Sequence, residues 1–279
     1  MKIWVHTLVK NEERYIWYAV MSVIDHVDKI LIWDTGSEDK TIKIIKEVKK
    51  KYPEKVDFRQ IGEVTSAGYT KTRQEMLDNT NSNWFLILDG DEVWWEDSIK
   101  TLVETIQKER NTLETIVTPS YVLVGDIYHY QEEAAGRYEI DGRRGHLTIR
   151  AMNRTIPGLY TTKPHGQHGY FDENGTLIQE RPRKFRKFLN VYNMHFTHLP
   201  RSSTREMDAK VPKRDIKLKR ELGISFPKDF YYPEVFFRSK PSIVASVWEK
   251  MDLGFTLKAS LLTIPRKIKR RLIKGGSGY

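Results

Sequence analysis

The sequence predicts an α/β protein: a mostly parallel central sheet flanked by helices, followed by a C-terminal helical extension. Three observations predict it. Strand-length apolar runs occupy residues 2–8, 29–33 and 84–88, and the last two carry so little polarity that they read as strands buried on both faces. The segments between them show helical spacing, giving a strand–helix–strand–helix order that implies parallel pairing. Charge is uneven as well, because no acid follows Asp252 while basic residues cluster from Lys258 to Lys274.

In chain order, residues 2–8 form the first strand, and Asn11-Glu12-Glu13 opens a helix with its acids where a helix dipole prefers them. Ile16, Val20 and Val23 supply that helix's buried stripe. The second strand, 29–33, ends at the turn-forming Asp34-Thr35-Gly36-Ser37. Ser37 or Asp39 caps a helix over 39–50 with the stripe Ile42, Ile45 and Val48, and Pro53 stops it before a third strand at 55–61. A helix over 68–79 carries Lys71 and Arg73, and another helix over 97–109 precedes a strand at 115–124. Residues 125–145, with four glycines, read as irregular and as a functional stretch. A strand at 146–152, turns and a hairpin over 157–180, and a last strand at 189–197 complete the sheet. Two charged helices over 203–222 split at Pro212, and an aromatic stretch runs from Phe230 to Trp248. The final Gly275–Tyr279 reads as a flexible end. The expected division is a catalytic domain over 1–200, with a nucleotide-binding half at 1–95 and an acceptor-side half at 96–200, and an extension over 201–279.

Composition narrows the function. The 279 residues include no cysteine, which excludes disulfides, Cys–zinc sites and thiol nucleophiles. No run of 18 apolar residues suggests a membrane span, and residues 2–8 lack the layout of a secretory signal. A cytoplasmic protein is expected, with the inner face of the cell membrane as a contact. The net charge of +10 asks for an anionic partner: a phosphorylated substrate, anionic lipid or nucleic acid.

The chemistry concentrates at Leu88-Asp89-Gly90-Asp91-Glu92. Ligands of open α/β sheets bind beyond the carboxyl ends of the strands, and right-handed crossovers bring those ends to one rim. Three carboxylates there suit a hard divalent cation, Mg²⁺ or Mn²⁺, shared with a diphosphate. Gly90 allows a sharp turn and close approach. The plain alternative is an acidic turn after a core strand. What separates the two is the company kept on the rim: Thr7–Asn11, Asp34–Ser37 and Gly62–Gly68 all converge there.

These four segments, in this order, resemble the family 2 glycosyltransferases of the GT-A fold. The resemblance rests on Thr7-Leu8-Val9-Lys10-Asn11-Glu12, Asp34-Thr35-Gly36-Ser37-Glu38-Asp39-Lys40-Thr41, Ala67-Gly68-Tyr69-Thr70-Lys71-Thr72-Arg73 and Leu88-Asp89-Gly90-Asp91-Glu92. It covers residues 1–95 and implies transfer of a sugar from a nucleotide donor, UDP- or GDP-linked, to a glycan or lipid-linked acceptor, with inversion and with Mn²⁺ or Mg²⁺. It also implies roles. Asp34 reads the base, Thr7, Glu12 and Ser37 line the nucleotide pocket, and Arg73 faces base and phosphates. Asp89 and Gly90 lie at the ribose and metal, and Asp91 ligates the metal directly. An acidic general base on the acceptor side is implied too, and Asp126, Glu132 and Glu133 are its candidates. Some members carry a His-Glu pair there, where this chain has His165-Gly166. Relatives also place a histidine metal ligand after the last core strand. His195 and His198 are three apart and point to opposite faces of an extended segment, so one of them faces the site; His195, still in the strand, is favoured. His6, His26 and His129 read as ordinary core or surface histidines.

The C-terminus adds a basic helix whose Ile264, Ile268 and Leu272 share a face, the pattern of a peripheral membrane contact. The aromatic stretch before it suits sugar rings, a membrane interface or plain packing. No nucleic-acid motif accompanies the charge, so no nucleic-acid partner is expected. The competing readings are a nucleotidyltransferase acting on a sugar phosphate, which would want a glycine-rich loop where 7–12 has no glycine, and a non-catalytic sugar-nucleotide or surface-binding module, which would not need the full acidic trio.

Overall fold

A computed structural model describes residues 1–164 and 169–272. The site at His165-Gly166 and the chain end at Gly275–Tyr279 lie outside them. The first half runs β1 (Ile3–Val9), α1 (Ile16–Met21), β2 (Lys29–Asp34), α2 (Thr41–Lys51), β3 (Val56–Gln60), α3 (Ser66–Asp78), β4 (Trp84–Ile87), β5 (Glu92–Trp94) and α4 (Glu96–Glu109). The second runs β6 (Thr115–Val124), β7 (Asp126–Tyr130), β8 (Tyr138–Ile140), β9 (Arg143–Gly145), β10 (Leu147–Asn153), β11 (Tyr160–Thr162), β12 (Gly169–Phe171), β13 (Arg186–Phe188) and β14 (Asn193–His195). After it come α5 (Arg205–Ala209), α6 (Arg214–Lys217), β15 (Ile224–Ser225) and α7 (Leu253–Leu272).

The main sheet has the order β15-β7-β6-β10-β4-β1-β2-β3. The β4-β1-β2-β3 block is parallel throughout, and β10 runs antiparallel between β4 and β6. Period-two alternation feeds two cores. Ile3, Val5, Ile30, Ile32, Trp84 and Leu86 join α1, α2 and α4 on one face. On the other, Leu31, Trp33 and Phe85 lie with Met76 and Leu77 of α3. Helix α4 shows why the pairing works: Ile99, Leu102, Val103 and Ile106 form one buried stripe, with Glu96 and Asp97 in its first turn. Thr65 caps α3 by accepting from the Gly68 amide.

Four expectations change. The helix predicted from Asn11 starts only at Ile16, is six residues long and is buried on all sides; Glu12 and Glu13 precede it and are used elsewhere. In α2 the buried stripe is Ile44, Ile45 and Val48, while Ile42 is only half-buried. Residues 125–145 are not irregular, because β7, β8 and β9 occupy much of the stretch. The last strand shrinks to β14, which inserts between β5 and β6. The split around Pro212 into α5 and α6 matches the sequence reading.

Candidate active site

Beyond the carboxyl ends of β1, β2 and β4 lies a cavity of about 780 Å³. One residue stitches the loop after β1 to the loop after β2 and to α5. Asn11 adopts a left-handed backbone (φ 53), which asparagine tolerates better than most. Its amide donates to Ser37 Oγ at 2.8 Å, its Oδ1 accepts from the Glu38 amide at 2.8 Å, and its Nδ2 donates to the Met207 carbonyl at 2.9 Å. Asp34 closes its own turn, accepting from the amides of Gly36 and Ser37 through Oδ1. Its Oδ2 is buried without a partner, and burial pushes the carboxyl up.

The acids of the β4 turn are held in alternation with guanidinium groups. Asp89 lies 3.8 Å from Arg73 and 3.5 Å from Arg150. Glu92, fully buried, pairs with Arg150 and lies 3.5 Å from His195 Nδ1. Asp91 lies 3.0 Å from Arg201 and 3.5 Å from His195 Nε2. Glu12 lies 3.0 Å from the same Arg201 and 2.5 Å from Arg214. Burial favours the neutral form of every carboxyl here. At Asp91 it is outweighed by Arg201 and His195, which hold the group well below the usual range. At Asp89 it is outweighed by Arg150 and Arg73. At Glu12 and Glu92 burial wins and raises each to about 7, against Arg201 and Arg214 in the first and Arg150 in the second. His195 moves the other way: burial disfavours its charge, but Asp91 and Glu92 raise it above the ordinary value.

Gly90, which lines the cavity, is also needed for packing. A Cβ there would come within 2.9 Å of Val9 Cγ1 and 3.0 Å of Glu12 Cγ. The glycine therefore lets the β4 turn press against the β1 loop.

The residues fit a divalent cation. Asp89, Glu92 and His195 each offer a ligand atom within 4.8 Å of the others. Both carboxylate oxygens of Asp91 are buried without a hydrogen bond. Carboxylate oxygen with one imidazole nitrogen is a donor set that suits Mn²⁺ or Mg²⁺. The cavity as a whole is cationic, with eight basic side chains against five carboxylates in its lining. That balance suits a diphosphate.

Of the residues singled out in the sequence, Glu12, Arg73, Asp89, Gly90, Asp91 and His195 line this cavity. Thr7, Asp34 and Ser37 do not; Thr7 is fully buried, and the other two shape the loop beneath. His198 faces away, bonded to Gln131 Oε1 and to the Lys217 carbonyl. The three base candidates are not brought to the cavity. Asp126 accepts from His129 and from the amides of Tyr128 and Met251. Glu132 pairs with Arg270, and Glu133 is exposed beside Gly145. Of the three, Asp126 lies in β7, while Glu132 and Glu133 lie in the turn between β7 and β8. Sequence reasoning missed Arg150, Arg201, Arg214 and His146. Arg150 left a signal, a lone charge in the otherwise near-apolar β10. Arg201 and Arg214 left none, since they sit in a highly charged segment.

A family model described as glycosyl transferase family 2 matches residues 4–196. No curated protein matches. Among solved structures, S. aureus TarS 1-349 in complex with UDP-GlcNAc is similar at 12% identity and a TM-score of 0.49, covering 78% of this chain and 66% of that one. The mannosyltransferase PcManGT from Pyrobaculum calidifontis, in complex with GDP-Man and Mn2+, is similar at 13% identity and a TM-score of 0.44, covering 75% and 59%. Glucosyl-3-phosphoglycerate synthase from Mycobacterium tuberculosis, with Mn2+, UDP and glucosyl-3-phosphoglycerate, is similar at 19% identity and a TM-score of 0.44, covering 70% and 71%. The chain spans 61% of the length of another matched TarS 1-349 chain. The family match takes in well over half of the 279 residues, including every strand of the parallel block and the acidic turn, and the chain belongs to glycosyl transferase family 2.

Proposed function

We propose that the protein transfers a sugar, with inversion, from a UDP- or GDP-linked donor to a glycan or lipid-linked acceptor, using Mn²⁺ or Mg²⁺. One observation carries the reading: carboxylates and guanidinium groups alternate around a cationic cavity at the ends of parallel strands. Asp89, Asp91, Glu92 and His195 are the residues that would hold the cation. When bound, the cation supplies Lewis-acid neutralisation of the departing diphosphate. The chain adds to this on its own account. Arg73 and Arg150 flank Asp89, and Arg201 adjoins Asp91, so fixed positive charge faces the region where phosphate charge develops.

In the transfer the acceptor oxygen bonds to the sugar's anomeric carbon as the bond from that carbon to the diphosphate breaks. The acceptor proton must leave. In place of Asp126, Glu132 and Glu133 we assign it to His146, which lines the cavity. Burial holds its imidazole down at about 4, which keeps it neutral at pH 7 and makes it a weak base, so the assignment rests on its place in the cavity lining. Its Nε2 lies 3.2 Å from the Glu132 carbonyl. Donation from that nitrogen leaves Nδ1 as the proton acceptor.

A thermal-shift panel of UDP, GDP, CDP and TDP, each with and without Mn²⁺, tests the reading. Stabilisation by one nucleotide only when metal is present is the expected result. No response to any of the four would remove the donor assignment.

A further inference from the structure

Helix α7 is docked with its amphipathic faces reversed. A surface helix of a water-soluble fold turns its apolar stripe inward. Here the inward face carries Ala259, Thr263, Arg266 and Arg270. Ala259 is fully buried, and Thr263 Oγ1 accepts from the Leu222 amide at 3.0 Å. Arg266 donates to the Arg220 carbonyl. Arg270 spans Glu132 at 3.1 Å and Glu221 at 2.5 Å, and Glu221 is fully buried. Leu253, Leu257, Leu261, Ile264, Ile268 and Leu272 all point the other way, each between 51% and 84% exposed. At 3.6 residues per turn these six fall within one arc of about 100°, nearly opposite the docked face. Over 20 residues the stripe is roughly 30 Å long.

We propose that this stripe seats the protein on an anionic lipid surface. The charge pattern selects that occupant. The helix contains no acidic residue, and Lys258, Lys267, Lys269 and Arg271 border or interrupt the stripe. Pairing two copies of such a face would bring like charges together at both edges. Anionic headgroups neutralise the same charges while the aliphatic side chains enter the acyl boundary. Nucleic acid would use the cations and leave six aliphatic side chains in water. Among the described residues no helix is long and apolar enough to cross a membrane, so α7 lies on the surface. The orientation bears on the cavity. Arg270 holds Glu132, whose carbonyl contacts the cavity-lining His146, so the end of α7 borders the cavity wall.

The test is flotation of the full chain with phosphatidylcholine vesicles, alone or mixed with phosphatidylglycerol. Binding to the mixed vesicles only is expected. The variant Leu257→Gln/Leu261→Gln/Ile264→Gln removes three exposed side chains, so its melting temperature stays put while its partitioning falls at least about tenfold. Lys267→Gln/Lys269→Gln weakens binding and flattens its salt dependence. Failure of the full chain to float with the mixed vesicles overturns the proposal, as does equal binding by the aliphatic variant. A dimer in sedimentation that the aliphatic variant converts to monomer overturns it in favour of a second copy. Retention on duplex DNA without flotation overturns it in favour of nucleic acid. Nucleotide binding with Mn²⁺ is measured separately and is expected unchanged in both variants, so the two readings stand or fall independently.

Discussion

The cavity is built from two regions of different kinds. One is the rim of the parallel sheet, where the loops after β1, β2 and β4 place Glu12, Asp89 and Asp91. The other is the segment after β14, where Arg201 and Arg214 enter from a stretch with little regular structure. The rim supplies most of the negative charge. The later segment supplies half of the guanidinium groups that make that charge tolerable. Neither region is a site alone, and the division at residue 200 expected from sequence cuts between an acid and its counter-ion.

Substitutions in the two regions should differ in effect. Asp91→Ala removes the carboxylate at the centre of the acidic group. Metal-dependent turnover should fall by about three orders of magnitude or more and the Mn²⁺-dependent thermal shift should vanish. Full metal-dependent turnover in this variant would show that the rim is not the metal site. Arg201→Ala tests the other region. It leaves Glu12 and Asp91 buried with one neighbour fewer each, which should cost about 3–5 kcal/mol in urea unfolding. A loss within experimental error would mean that the later segment only covers the cavity.

His6, in the middle of β1, sharpens the contrast by pH. It is buried, stacked on Phe85 and bonded to Thr80 Oγ1 at 2.6 Å. Burial, with Arg73 and Arg154 nearby, lowers it to about 3. A folded-state value below the unfolded 6.5 means that its stabilising contribution is complete above pH 6.5 and is lost as pH falls toward 3. The loss is roughly 2 kcal/mol at pH 5. His6→Gln should therefore show a shallower fall in stability between pH 6.5 and 4 than the parent chain, measured by urea midpoints. Parallel profiles would refute the buried neutral histidine.

Gly90→Ala forces a methyl group onto Val9 and Glu12 and should cost about 1–3 kcal/mol, with weaker donor binding because the two loops separate. Asp126→Asn should change turnover by no more than about twofold, since its carboxylate only organises β7 and the Met251 amide. A collapse of turnover with stability intact would restore Asp126 as the base and displace His146.

Legibility in the sequence divides along the same line. The rim could be read because buried strands are nearly all apolar, so the first polar residues after them mark the strand ends. Asp89-Gly90-Asp91 stood out for that reason. Thr7, Asp34 and Ser37, expected in the pocket, lie near the cavity but outside its lining, because sequence locates a loop and not the direction of a side chain. The base candidates Asp126, Glu132 and Glu133 lie outside the cavity lining for a different reason. Glycine-rich composition over 125–145 looked irregular, yet short pairings between β6 and β7 and between β8 and β9 satisfy the stretch. Arg201 and Arg214 were invisible because a cation in a segment rich in cations carries no local mark. Their meaning comes from Glu12, 189 and 202 positions earlier.

That long-range bond has a consequence for how the molecule comes into being. During synthesis Glu12 leaves the ribosome long before Arg201 and Arg214. A growing chain can pair β1 with β2 and β3 early, but Glu12 and Asp91 lack their guanidinium partners until the residues past 200 emerge. During synthesis, completion of the cavity therefore waits for the residues past 200. A chain cut short near residue 196 would keep the whole region matched by the family model while leaving Glu12 and Asp91 without Arg201. Such a fragment is expected to hold its sheet loosely and to lean on divalent cations to stay closed.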